Sequence, residues 1–134
     1  MQQPREDRWQ AMLRVVRYLK QNLGQGILFS STCDLRLHGW CDADRAGCPL
    51  TRRSLTGWLI FLGVSPISWK TKKQHTVFRS SVEAEYRSMA MTTCELQWLK
   101  GVLSSLEVPH PTPMSLHCDS QAALYISQNL VFHE

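Results

Sequence analysis

The sequence predicts an α/β domain: an antiparallel meander of three strands, then a long helix, a short strand that adds in parallel, and a second helix. Three observations carry that prediction. Residues 35–69 are dominated by alternating apolar and polar positions broken by turn residues. Apolar residues recur at helical spacing between 81 and 106. A short alternating run at 115–119 then leads directly into another helical pattern. Strands joined by short turns pair antiparallel, whereas a strand reached through a helical crossover returns in parallel.

The elements follow in order. In "DRWQAMLRVVRYLKQNLGQG", Trp9, Met12, Leu13, Val16 and Leu19 stand at helical spacing among Arg14, Arg17 and Lys20, and Gly24 and Gly26 end the run. "GILFSS" reads as a strand. So does "LRLHGWCDAD", where Leu35, Leu37, Gly39 and Cys41 alternate with Arg36, His38, Trp40 and Asp42, leaving Asp42 at a strand end on the side of Trp40. "GCPLTRRS" is turn chemistry. "LTGWLIFLGVSPISWK" supplies two β-rich runs, one to Leu62 and one from Pro66 to Trp69. "KTKKQHTVFR" reads as a basic link, and Ser80 or Ser81 as the N-cap of a helix running toward Leu106. After "EVPHPTPM", Leu116 and Cys118 face one way and His117 and Asp119 the other, and a helix follows. No repeat or low-complexity segment interrupts this order.

Bulk properties bound the function. The 134 residues, 43% of them hydrophobic, suit one ordinary domain plus a short extension, and a net charge of +4 permits a polyanionic partner without demanding one. Five cysteines (Cys33, Cys41, Cys48, Cys94, Cys118), with no CxxC pair and no secretory leader ahead of them, lead us to expect a reduced, intracellular, cytoplasmic protein. No apolar run approaches the roughly 20 residues that span a bilayer, so no membrane partner is expected. A zinc module built on His38, Cys41 and Cys48 fits none of the common ligand spacings.

The stretch "SSVEAEYRSM" sets Glu83 and Glu85 at a helix start. At about 100° per residue, Met89, Leu96, Leu99 and Leu103 form the apolar stripe, and Glu85 lies inside it. Glu83 lies roughly 130° from the stripe's centre by the same geometry and can pair with Arg87. A carboxylate on a packed face needs a basic partner, hydrogen bonds or a metal. Alone, Glu85 reads more readily as a wet first-turn acid near the helix's positive end than as a functional group. Asp42 and Asp119 shift that balance: both end strands, both follow a cysteine, and both precede or adjoin a helix start. Three converging carboxylates call for oxygen-loving cations, Mg²⁺ or Mn²⁺, and two such ions support hydrolysis of a phosphodiester.

The stretches "GWCDADRAGCPLTRRSLTG", "ISWKTKKQ", "SSVEAEYRSMA" and "LHCDSQAALYISQN" resemble the ribonuclease H domain at the end of the Pol polyprotein of Ty1/copia-type retrotransposons, nearly continuously from Leu35 onward. Residues 1–33 look like the segment that connects this domain to the reverse transcriptase, and 34–134 like the domain itself, ribonuclease H-like in fold and C-terminally truncated. The resemblance implies Asp42, Glu85 and Asp119 as catalytic metal ligands for two Mg²⁺ or Mn²⁺ ions, with the RNA strand of an RNA/DNA hybrid as substrate. Asp44 would be an accessory at best. The order Asp, Glu, Asp matches the nuclease; transposase and integrase cores of the same fold place two aspartates before the glutamate.

Lys70, Lys72, Lys73 and Arg79 form a basic cluster suited to phosphates, although a solvated loop would read the same way; Arg52 and Arg53 are weaker candidates. Ser120 and Gln121 are either nucleic-acid contacts or a helix cap and an exposed polar residue. Several positions depart from the family: Arg45 for tryptophan, Arg8 for histidine, Phe78 for serine, Leu130 for proline. Arg45 would put a cation beside the carboxylates. The chain stops at "NLVFHE", before the family's further strand and the helical segment with a fourth acidic residue, and His133 and Glu134 are not substitutes for it. Two readings stay open: a working nuclease, and a silent remnant of a decayed element that binds nucleic acid or a partner.

Overall fold

A computed structural model describes residues 5–129. Helix α1 (Glu6–Gln21) has Glu6 and Asp7 in its first turn and Lys20 in its last, matching the helix dipole. None of its residues is buried, and among the described residues it packs on no other helix or strand.

"GILFSS" does not form the strand its composition suggests. Ile27, Leu28 and Phe29 are exposed, and the segment takes no place in the sheet. A short apolar run becomes a strand only if a ladder receives it. Here the chain is instead held by Ser30 N–H donating to Ser65 Oγ at 3.3 Å and by the Cys33 thiol donating to the Ser30 carbonyl at 3.4 Å.

The sheet contains β1 (Leu37–Asp44), β2 (Leu55–Leu62), β3 (Ser65–Lys73) and β4 (Ser115–His117) in the order β3-β2-β1-β4. The first three strands form the predicted antiparallel meander, and β4 returns parallel to β1. This mixed α/β arrangement is compatible with a ribonuclease H-like fold. Strand β3 runs four residues past Trp69, because Lys70, Lys72 and Lys73 pair with Trp58, Thr56 and Leu55. Lysines are well suited to an edge strand, and the Lys70 ammonium lies 5.6 Å from the centre of the Trp58 ring.

Helix α2 (Ser81–Ser105) covers one face of the sheet, and α3 (Gln121–Gln128) packs beside it. Leu37, Trp58, Ile60, Leu96 and Leu99 form the main core, while Cys41, Met89 and Ala123 join α2, β1 and α3. Gly39 permits this approach: a Cβ there would lie 3.3 Å from Thr92 Cγ2 and 3.4 Å from Leu96 Cδ1. Phe78 is buried against Ala43 and Ala84, so the large side chain fills a small satellite core beside the start of α2.

Ser80 is the N-cap of α2, its hydroxyl accepting the Glu83 N–H at 3.1 Å. Glu83 completes a capping-box-like arrangement by accepting the Arg79 N–H at 2.9 Å, while Arg87, its expected partner, places its guanidinium 5.8 Å from the centre of the Phe78 ring. Among the described residues no helix is long and apolar enough to cross a membrane. Leu130, His133 and Glu134 lie outside the described residues.

Candidate metal centre at the ends of two parallel strands

The β1–β4 ladder ends at the Trp40/His117 pair, while β1 continues to Asp44. The first turns of α2 pass over this extension, which β2 still pairs along its full length but β4 does not. Glu85, 8% exposed on the packed face of α2, accepts the Ala43 backbone N–H at 3.3 Å through Oε1. The Ser88 hydroxyl, one turn on, donates to the Asp42 carbonyl at 3.0 Å and pins the same stretch of β1 to the helix.

Alternation would send Cys118 and Asp119 to opposite faces, but β4 ends at His117 and the chain bends at Asp119. Cys118 keeps the core-facing side it shares with Leu116, and its thiol donates to Glu85 Oε2 at 3.8 Å; with Asp119 after the bend, ligand atoms of Glu85, Cys118 and Asp119 all lie within 4.8 Å of one another. Asp42 stands outside that tight group, on the exposed side of β1 with Trp40. It still acts on Glu85 electrostatically. Burial pushes the Glu85 carboxyl above its ordinary range, the Ala43 hydrogen bond opposes this, and repulsion from Asp42 and Asp119 adds to it.

Asp42 and Asp119 also line one open cavity of about 370 Å³, together with Trp40, Trp58, Leu59 and His117. The Trp40 and His117 rings stack with centroids 4.3 Å apart and planes 20° from parallel. Sequence reasoning missed both this stack and the thiol beside the carboxylates. The repeated Cys-Asp at two strand ends was the available signal for the thiol.

The other candidate residues do not form one cluster. Register puts Lys70 and Lys72 on the α2 side of β3, whereas Lys73 lies on the opposite side and places Nζ 2.9 Å from Cys48 Sγ. Arg79 is exposed at the entry to α2. Ser120 caps α3, its hydroxyl accepting the Ala123 N–H at 3.3 Å, and Gln121 is exposed in the first turn. Asp44 is exposed at the end of β1, outside the tight group. Arg45 does not pair with the carboxylates: its guanidinium donates to the Arg79 carbonyl at 2.8 Å, drawn there by an acceptor at the mouth of α2. His38 and Cys41 occupy opposite faces of β1, so the His38/Cys41/Cys48 set does not converge.

The chain is 44% identical over 133 residues to the retrovirus-related Pol polyprotein from transposon RE2 of Arabidopsis thaliana, 99% of this chain and 9% of that protein. It is 42% identical over the same length to the corresponding polyprotein from transposon RE1 of that plant, again 9% of it. The chain is homologous to part of a transposon Pol polyprotein. A third such polyprotein, from transposon TNT 1-94 of Nicotiana tabacum, is 36% identical over 133 residues, 99% of this chain and 10% of that protein. The chain thus spans about a tenth of the Pol polyproteins it matches. No protein-family model and no solved structure matches it.

Proposed function

We propose that this chain is a ribonuclease H-type endonuclease segment of a transposon Pol polyprotein, hydrolysing the RNA strand of RNA/DNA hybrids. The observation that carries the reading is the meeting of Glu85 with Asp119, and with Asp42 nearby, where two parallel strands end. Glu85 fits a cation-binding role: it is a buried carboxylate for which the described residues supply no basic partner. Asp42, Glu85 and Asp119 would hold two Mg²⁺ or Mn²⁺ ions, whose chemistry is to grip the phosphodiester, activate water and stabilise the leaving oxygen.

The chain's own groups position those ligands. The Ala43 N–H orients Glu85, Ser88 holds the Asp42 backbone against α2, and the Ser120 cap sets the bend that carries Asp119. Lys70, Lys72, Lys73 and Arg79 are the residues we assign to hybrid phosphates, with Ser120 and Gln121 next to the strand ends. Residues 1–33 would connect the domain to a reverse transcriptase, its partner in the parent polyprotein; an α1 that, among the described residues, packs on no other element supports a linking role.

The test is cleavage of a labelled RNA strand annealed to DNA, with Mg²⁺ or Mn²⁺, by the chain and by Asp42→Asn, Glu85→Gln and Asp119→Asn. Metal-dependent cleavage by the parent and its loss in the variants is the expected result. A catalytically silent chain is the second reading, favoured by the position of Asp42 outside the Glu85–Cys118–Asp119 group. A folded parent that leaves the hybrid intact would establish it.

A further inference from the structure

The mechanism above leaves one group in the site unused, the Cys118 thiol. Its sulfur lies 3.8 Å from Glu85 Oε2 and within 4.8 Å of a ligand oxygen of Asp119. A tetrahedral zinc ion, bound at about 2.3 Å by thiolate and about 2.1 Å by carboxylate, separates two such ligand atoms by about 3.6 Å. Small side-chain adjustments therefore convert the existing contact into a chelate. Glu85 is more than nine-tenths buried, at 8% exposed, and lacks a basic partner among the described residues, so a cation is electrostatically favoured here. Thiolate selects borderline and soft ions, whereas Mg²⁺ requires oxygen ligands.

We propose that Cys118, Glu85 and Asp119 form a binding site for a thiophilic divalent cation of the zinc class, which occupies the centre in competition with Mg²⁺ and blocks it. Coordination releases the thiol proton to solvent, and three protein ligands leave a fourth position for water. Cys41, whose thiol donates to the His117 carbonyl at 3.5 Å, is not one of the three. The inference rests on these carboxylates forming a cation site; it does not require that the chain cleave a hybrid.

The experiment titrates the full chain with Cd²⁺ as probe, then with Zn²⁺ against a chromophoric chelator, both without Mg²⁺. One equivalent of Cd²⁺ should produce a thiolate-to-metal charge-transfer absorption and protect Cys118 from alkylation, as mapped by peptide mass spectrometry. Cys118→Ser should abolish the absorption and weaken Zn²⁺ by more than the roughly 10–100-fold lost with an outer-sphere partner. Cys48→Ser should retain both. If Cys118→Ser does not fold, the protection pattern of the parent chain still decides. A folded parent with no charge-transfer band, or one that protects a different cysteine, overturns the proposal. A band on Cd²⁺ titration, together with no hybrid cleavage by the cadmium-free chain in Mg²⁺ or Mn²⁺, would sink the nuclease reading alone, and cleavage in Mg²⁺ or Mn²⁺ without a band on Cd²⁺ titration would sink this one alone.

Discussion

Glu85 accepts the Ala43 backbone N–H at 3.3 Å, beyond the last rung at which β1 and β4 pair. A side chain thus replaces the missing strand, and the replacement brings a carboxylate into the interior. Folding raises the Glu85 carboxyl above its ordinary range, chiefly through burial, so the folded chain holds that proton more tightly than the unfolded chain. The resulting stability is present at low pH and is lost as pH rises through the raised value. Without divalent ions, thermal unfolding of the parent should show a loss of stability relative to Glu85→Gln as pH rises from below the ordinary carboxylate value to well above it, the variant lacking that part of the slope. Under the cation-site reading, saturating Mg²⁺ or Mn²⁺ should favour the parent over the variant; a parent indifferent to both pH and cation would contradict the account.

The β2–β3 hairpin depends on Gly63, which has φ of +58° in a two-residue turn. Any added Cβ would lie 2.1 Å from the Asp34 carbonyl oxygen. Gly63→Ala should therefore destabilise the fold by more than the about 1–3 kcal/mol of a strained backbone alone, measured by urea unfolding. Retention of parental stability would mean that the turn can rearrange.

Cys48 should be the fast-reacting thiol. Its pKa is lowered to about 6, first by Lys73, whose ammonium lies 2.9 Å away, and then by bonds to Thr51, whereas burial pushes Cys41 up to about 12. The thiolate of Cys48 dominates above its lowered value, so its alkylation should outpace that of Cys41 at neutral pH and slow as pH falls through about 6. Lys73→Met should move the inflection upward. Site-resolved mass spectrometry reads all three outcomes.

Removal of residues 1–26 should leave the unfolding midpoint within about 2 °C of the full chain, because none of the α1 residues is buried and, among the described residues, α1 packs on no other element. A larger drop in differential scanning calorimetry would place α1 within the cooperative unit.

Local chemistry made much of this molecule legible from sequence. Ser80 or Ser81 before an apolar-periodic run announced α2, of which Ser80 is the cap; turn residues separated the strands of the meander, and Glu85 stood out as the carboxylate on the packed face. The misses were all non-local. "GILFSS" has strand composition but no ladder to join, Lys70 to Lys73 have loop composition but a paired edge to extend, and Arg87 had a partner in sequence but an aromatic ring in space.

The sequence by itself determined the order α2, β4, α3 behind the three-stranded meander and the identity of the three acidic candidates, because periodicity and capping are properties of neighbouring residues. Only the tertiary structure decided how those acids meet. The early end of β4 lets the chain bend at Asp119 so that it joins Glu85 and Cys118, the latter on the core side it shares with Leu116, and the continuation of β1 leaves Asp42 outside the tight group. Where a strand loses its partner depends on the register and length of another strand whose paired residues lie 77 positions away, and no local pattern carries that information.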